Sequence, residues 1–371
     1  MNTNQDRKNN QIFETVNDFF SKKMNKAHIR LICLLITALC KAKTVCYGAL
    51  AHCFDSLAKS DSCLRRIQRF FAEFDLSHDL IARFLYTLLP AKGKKVLLID
   101  RTNWKFGQTD INIFMLAIAH EGVAYPLMFT MLPKRGNSNS LERIALLQRY
   151  VNLFGADSID CLLADREFVG EKWIGWLNDN RIRYHIRIKE NFWVDNPRRG
   201  DRAKAHWMFQ GLKVGQRMCL PGIHYIKGQG CYLSASRVKG RDGTPELQVI
   251  VSFNRPDEAV ETYRRRWEVE TMFRALKSAG FNIEDTHLTD LQRIEKLLLI
   301  VMIAFVWCYD VGEYVHRNIR EITVKTHGRK AKSIFRYGLD IVTEFLIRDR
   351  NDYNIPIPAF LSTSNPLRNS T

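Results

Sequence analysis

Apolar residues recur along the chain with two different periods, and the changes of period divide it. From residue 11 to about residue 90 the spacing is helical. Ile12, Val16, Phe19 and Phe20 share a face, an apolar stretch covers residues 29–40, and Leu64-Arg-Arg-Ile-Gln-Arg-Phe-Phe71 follows the same rule. A helical domain over residues 1–90 is expected. Beyond Lys94 the pattern becomes strand-like. Residues 96–100, 111–120 and 123–132 predict three strands, the first two joined through Phe106-Gly-Gln-Thr-Asp110 as an antiparallel pair. There follow a helix over 141–154 capped by Ser140, a strand closing at Asp165, a helix near 171–178 and a strand near 183–189.

Residues 191–254 break that alternation. Glycines recur from Gly200 to Gly243, with Pro221 among them, and punctuate short runs such as Leu247-Gln-Val-Ile-Val-Ser-Phe253, which predicts a small twisted β module without a helix. A helix resumes near Asp257. Residues 283–356 read as mainly helical, and the Pro- and Ser-rich sequence beyond Pro356 predicts a frayed tail. The longest apolar run, residues 297–309, lies between Lys296 and Asp310; it falls short of the about 20 residues that span a bilayer and is expected to be a buried core helix. The polar N-terminus lacks the apolar core of a signal peptide.

Two acids draw attention by their position. Lys95-Val-Leu-Leu-Ile-Asp100 and Ile159-Asp-Cys-Leu-Leu-Ala-Asp165 each place an aspartate where a buried strand runs out, which is where open sheets covered by helices carry their ligands. Downstream, Tyr263, Arg266, Glu270 and Lys277 stand at offsets 0, 3, 7 and 14. At about 100° per residue they stay within one helical stripe, opposite Val269, Met272, Phe273 and Leu276. Such a stripe either borders a cleft or is a solvated face, and Arg266 and Lys277 either grip a ligand or pair with Glu270.

The segment Tyr263-Arg-Arg-Arg-Trp-Glu-Val-Glu-Thr-Met-Phe-Arg-Ala-Leu-Lys277 carries the pattern Tyr-x2-Arg-x3-Glu-x6-Lys, which resembles the signature of DDE transposases of the insertion sequence four type. Leu98-Ile-Asp-Arg-Thr-Asn-Trp104 and Ala164-Asp-Arg-Glu-Phe168 resemble the segments that bear the first two catalytic acids of that family, so the likeness spans roughly residues 90 to 285. It implies an α/β fold: an RNase H-like mixed sheet flanked by helices, interrupted by a β-rich insertion, with N-terminal and C-terminal helical regions. The catalytic core would then occupy 91–190 and resume at 255–285 with the tetrad helix, separated by the insertion at 191–254 and followed by a helical region at 286–371. Three strands, helix, strand, helix, strand is the element order of that core.

The activity implied is metal-dependent cleavage and strand transfer at the ends of a bacterial insertion sequence, cut-and-paste transposition. Asp100, Asp165 and Glu270 are then the catalytic acids and the ligands of Mg2+, for which Mn2+ would substitute. Two such ions about 3.5 to 4 Å apart activate the nucleophile and neutralise charge on the attacking and leaving oxygens. The resemblance, and not the pattern of residues, is what brings the three acids together. Tyr263, Arg266 and Lys277 would hold the terminal nucleotides. Trp193 and Trp207 are candidates for stacking an extruded base, or else core residues of the β module. Arg65, Arg66 and Arg69 would contact phosphates of the element's ends, or else form a solvated basic face. Glu167 is expected in a turn beside the site.

Composition narrows the partner. With 56 Lys and Arg against 39 Asp and Glu the formal charge is +17, which favours a polyanion. The expected partner is double-stranded DNA, as terminal inverted repeats and target, bound by a homodimer in a synaptic complex in the cytoplasm at the nucleoid, with no membrane. Nine cysteines without a Cys-x2-Cys pair fit reduced thiols rather than a zinc site. No phosphate-loop motif is present, so no nucleotide cofactor is expected. The competing functions are a catalytically inactive, end-binding repressor and an RNase H-fold nuclease that cuts without joining.

Overall fold

In a computed structural model, the described residues are 3–90, 93–196, 200–240, 242–278, 280–326, 328, 330–348 and 351–365. The last residues of the expected C-terminal tail, 366–371, lie outside them. The chain opens with five helices: α1 (Thr3–Phe20), α2 (Lys26–Ala42), α3 (Tyr47–His52), α4 (Ser60–Glu73) and α5 (His78–Thr87). Side-chain caps fix two of their starts, Asn25 accepting from the His28 N–H and Ser77 from the Leu80 N–H. Strands β1 (Lys95–Phe106), β2 (Thr109–His120) and β3 (Val123–Met131) follow, then α6 (Ser140–Phe154), β4 (Ile159–Ala164), α7 (Glu171–Asp179) and β5 (Tyr184–Ile188). Ser140 is the first helical residue of α6 and not its cap. Asn139 caps it, accepting from the Glu142 N–H while the Glu142 carboxylate accepts from the Asn139 N–H.

The insertion comprises β6 (Trp193–Asn196), β7 (Asp201–Lys204), the single turn α8 (Ala205–Met208), β8 (Arg217–Cys219), β9 (His224–Ile226), β10 (Gln229–Lys239) and β11 (Pro245–Ser252). The one-turn helix corrects the helix-free expectation: the Ala205 and His206 N–H groups bond back to the carbonyls of Phe192 and Glu190 and wind the chain there. After the insertion come α9 (Ala259–Tyr263), a 3-10 turn (Arg264–Arg266), α10 (Trp267–Lys277), α11 (Leu291–Asn318) and α12 (Ile334–Arg348). The segment read as one tetrad helix is therefore two helices with a tighter turn between them.

The chain forms two compact units. One comprises Met1–Pro90, Trp104–Ile111 and Phe273–Thr371; the other comprises Ala91–Asn103 and Asn112–Met272. The first is helical and is organised around α11, in which Leu297 through Tyr309 are all buried, as expected of that apolar run. Helices α11 and α12 cross closely at Gly312 and Gly338; a Cβ at Gly338 would lie 1.8 Å from the Cys308 carbonyl oxygen. The segment beyond Pro356 does not fray at once. Ile357–Leu361 form a 3-10 turn with Ile357, Phe360 and Leu361 buried, and the Trp307 indole N–H donates to the Ile357 carbonyl at 2.9 Å. No helix among the described residues is long and apolar enough to cross a membrane.

The second unit is built on a mixed sheet whose order is β3-β2-β1-β4-β5-β11-β10-β9-β6-β7, with β8 beside β10. Strands β1 and β4 are near-continuous apolar runs, buried through Val96–Ile99 and Cys161–Ala164. They pair in parallel, as expected of strands covered on both faces. The insertion extends this sheet rather than standing apart from it, because β11 pairs antiparallel with β5 and β10 with β11. The result is an RNase H-like α/β architecture.

Candidate active site

Register places the first two acids. The aligned pairs of β1 and β4 end at Leu98 with Leu163 and Ile99 with Ala164, so Asp165 is the residue just after β4, while Asp100 lies within β1, which does not close at residue 100 as expected but runs on to Phe106 because β2 lies beside it. Parallel neighbours lie about 4.8 Å apart, and equal positions project to the same face. Each acid is oriented by the backbone that follows it: the Arg101 N–H donates to Asp100 at 2.7 Å and the Arg166 N–H to Asp165 at 2.8 Å.

Helices α9 and α10 supply the rest. The Tyr263 hydroxyl donates to Asp165 at 3.4 Å. Arg266, in the 3-10 turn, faces Asp100 with a nitrogen–oxygen separation of 3.5 Å and also pairs with Glu270 one turn further on. Asp100, Asp165, Tyr263, Arg266 and Glu270 are thus joined in one polar cluster. Val269 and Met272 anchor the other side of α10 in apolar surroundings. Lys277 ends α10, where it pairs with Glu284 at 2.7 Å, with its ammonium 5.7 Å from the centre of the Trp104 ring.

The electrostatics of the cluster are those of crowded acids around a cation. Burial pushes the Asp100 carboxyl up to about 6, Glu167 and Asp165 push the same way, and the Arg101 N–H and Arg266 oppose them. Burial also drives the Tyr263 hydroxyl well above its ordinary range, assisted by Asp165. Arg266 would be depressed by burial, yet Tyr263, Asp165, Asp100 and Glu270 outweigh that and raise it. Among the described residues no three His, Cys, Asp or Glu side chains are grouped tightly enough to make a preformed metal cage. The donor set of Asp100, Asp165 and Glu270 still suits a hard divalent cation, being all carboxylate. Such a cation would offset the burial, and the lesser repulsion from Glu167 and Asp165, that lift Asp100.

Of the further neighbours of the cluster, Glu167 was expected from the sequence and Arg101, Arg166 and Trp267 were not. Glu167 falls in the 3-10 turn Arg166–Phe168, as its expected turn requires, and meets Arg101 there at 3.4 Å. Trp267 follows Arg266 and is 46% exposed. It lines a cleft of roughly 740 Å³ of mixed charge, with Arg166, Arg187 and Lys189 facing Glu190, Asp242 and Glu246, and Arg187 paired with Glu246. The signal for these was adjacency: each of Arg101, Arg166 and Trp267 directly follows a residue of the cluster.

Trp193 and Trp207 are on the insertion surface, 42% and 48% exposed, edge to face at 6.1 Å. The Lys204 ammonium lies 5.6 Å from both rings and the Arg202 guanidinium 5.2 Å from that of Trp193. They are not core. In the helical unit, Arg65, Arg66 and Arg69 share the exposed side of α4, while Cys63, Ile67, Phe70 and Phe71 bury the other.

No curated protein matches the chain. The family model for the transposase DDE domain matches residues 91–307, more than half of it, and the match takes in both aspartates of the cluster and the whole tetrad. The chain therefore belongs to the DDE transposase family, enzymes that process DNA with divalent metal ions.

Proposed function

We propose that this protein is a transposase of the insertion sequence four type that cuts and rejoins DNA at the ends of a mobile element. The observation carrying this reading is the parallel register of β1 and β4, which sets Asp100 beside Asp165, with Glu270 tied to Asp100 through Arg266. In this reading Asp100, Asp165 and Glu270 hold Mg2+. A bound divalent cation supplies charge neutralisation on the phosphodiester and a nucleophile at neutral pH. Arg266 and Tyr263 orient the scissile phosphate and the carboxylates around it. Lys277, further along α10, holds a neighbouring phosphate.

The order of events follows from chemistry. Hydrolysis breaks one phosphodiester with water and frees a 3′-hydroxyl; that hydroxyl then attacks a second phosphodiester, forming one ester bond as the target strand's 3′-oxygen leaves, so the joining step conserves bond energy and no nucleotide is consumed. The exposed arginines of α4 suit a role in holding the terminal repeats, and two ends imply two copies of the chain. Trp193 and Trp207 suit the capture of an extruded base.

The test is strand cleavage and joining on a labelled element end with Mg2+. Asp100→Asn, Asp165→Asn and Glu270→Gln should each lower cleavage by several orders of magnitude while end binding stays within a few-fold. Full cleavage in any of the three removes that residue from the site. Cleavage without joining in the parent protein would instead make it a nuclease.

A further inference from the structure

We propose that Arg101 and Glu167 form a positioning pair that clamps the middle of β1 to the turn after β4, fixing how Asp100 and Asp165 are presented to a divalent cation. The inference rests on the reading of those aspartates as metal ligands, and goes beyond it by assigning residues that touch neither cation nor DNA.

The backbone ladder stops short of the acids. The last aligned pair of β1 and β4 is Ile99 with Ala164, and beyond it β4 gives way to the 3-10 turn Arg166–Phe168. β1 itself runs on to Phe106, so some other link must hold it against the turn that follows β4. Arg101 provides it from the residue after Asp100, reaching Glu167, two residues after Asp165. Its Nε and Nη2 lie 3.4 and 3.5 Å from the two oxygens of the Glu167 carboxylate, a fork-to-fork arrangement.

Both partners are themselves held. Arg101 Nη1 donates to the Asn112 side-chain oxygen at 3.0 Å and Nη2 to that of Asn137 at 2.9 Å. Asn112 is 2% exposed, and its amide nitrogen donates to the carbonyls of Lys134 and Gly136 at 2.9 and 3.0 Å. Those two carbonyls fix the amide so that its oxygen faces Arg101. On the other side, the Glu167 carbonyl accepts from Arg143 at 3.0 Å, and the Arg143 guanidinium also grips Ser138. The brace therefore runs from β2 and the 134–138 turn to the middle of β1 and the turn after β4. A half-buried fork of this kind has few alternative geometries, and a lysine in place of Arg101 would be a point charge without the fork.

Groups that orient ligands from behind typically change metal affinity or activity by about 10- to 100-fold when removed. The experiment measures Mn2+ binding to the full-length protein by electron paramagnetic resonance. The variants are Glu167→Gln, Arg101→Lys, Arg101→Gln and the double variant Arg101→Gln/Glu167→Gln, each with its melting temperature and Mg2+ titration of nicking. Expected are a loss of Mn2+ affinity of about tenfold or more in each single variant, a matching rise in half-saturating Mg2+, and end binding unchanged. The double variant should be no worse than the worse single one, since the pair acts as a unit.

Mn2+ affinity within twofold of the parent in folded Glu167→Gln and Arg101→Lys overturns the proposal, as do effects that simply add. An affinity loss that tracks melting temperature across the four variants also overturns it, as the mark of a merely structural ion pair. If Asp100→Asn binds Mn2+ as well as the parent, the metal-ligand reading itself fails and takes the inference with it.

Discussion

Asp100→Asn should stabilise the metal-free protein at neutral pH while abolishing its chemistry. Burial lifts this carboxyl from its ordinary 3.8 to about 6 against the pull of Arg266. A rise of about two pH units, at about 1.4 kcal/mol per unit, means that the ionised acid disfavours the fold by roughly 3 kcal/mol above pH 6. Only 17% of the side chain is exposed, so solvent screening removes little of that. Because the folded value lies above the unfolded one, the stability contributed by the protonated acid is full below about pH 4. It is lost as pH rises to about 6. The amide retains the acceptor that meets the Arg101 N–H, but it gives up the longer contact to Arg266, which costs about 1 kcal/mol. The net gain expected is about 1 to 2 kcal/mol at pH 7.5, shrinking to nothing near pH 4. Urea denaturation in EDTA at intervals from pH 4 to 8, on parent and variant, measures it directly. A variant less stable than the parent at pH 7.5, or a difference that does not change with pH, refutes the reasoning.

Three further outcomes follow from the geometry. Arg266→Ala and Lys277→Ala should each shallow the salt dependence of end binding by about one unit of log K per log salt, and unchanged slopes would leave both cations to Glu270 and Glu284. Trp193→Ala or Trp207→Ala should cost less than about 1 kcal/mol in urea stability, because both rings are exposed, well under the about 3 to 5 kcal/mol of a buried tryptophan. If a base stacks there, the same variants should slow release of the element by the equivalent of about 1 to 3 kcal/mol while nicking proceeds, and a release rate equal to the parent's would rule that role out. Gly338→Ala should destabilise the helical unit by about 3 kcal/mol in thermal melting, since its Cβ would meet the Cys308 carbonyl oxygen at 1.8 Å and the Gly312 nitrogen at 2.6 Å; an unchanged melting temperature would mean that α11 and α12 separate freely.

What the sequence determined by itself was local. The period of apolar positions marked β1, β4 and the buried stretch of α11, since burial on one or both faces imprints itself directly on which residues follow one another. It also placed Asp165 at a strand end, because an ionisable group closing an apolar run has few other places to be, whereas β1 runs on past Asp100 to Phe106. The tetrad was legible as a pattern, and with it the family.

Tertiary structure decided what depends on partners distant in the chain. That β1 lies beside β4, in the register that aligns the two aspartates, is a pairing across more than sixty residues that no local period encodes. The break of the tetrad segment into α9, a 3-10 turn and α10 aims Tyr263 at Asp165 and Arg266 at Asp100, where a single straight helix was expected. Trp193 emerged on the surface because pairing of β6 with β7 turned it outward and buried Val194, a choice of face that one residue of register would have reversed, while Trp207 is presented by the one-turn helix α8. The tail beyond Pro356 was held by a buried indole of α11 that needed an acceptor, a demand visible only once the core around Trp307 had formed. Arg101 and Glu167 were each in plain view beside an acid, and only the fold made them neighbours.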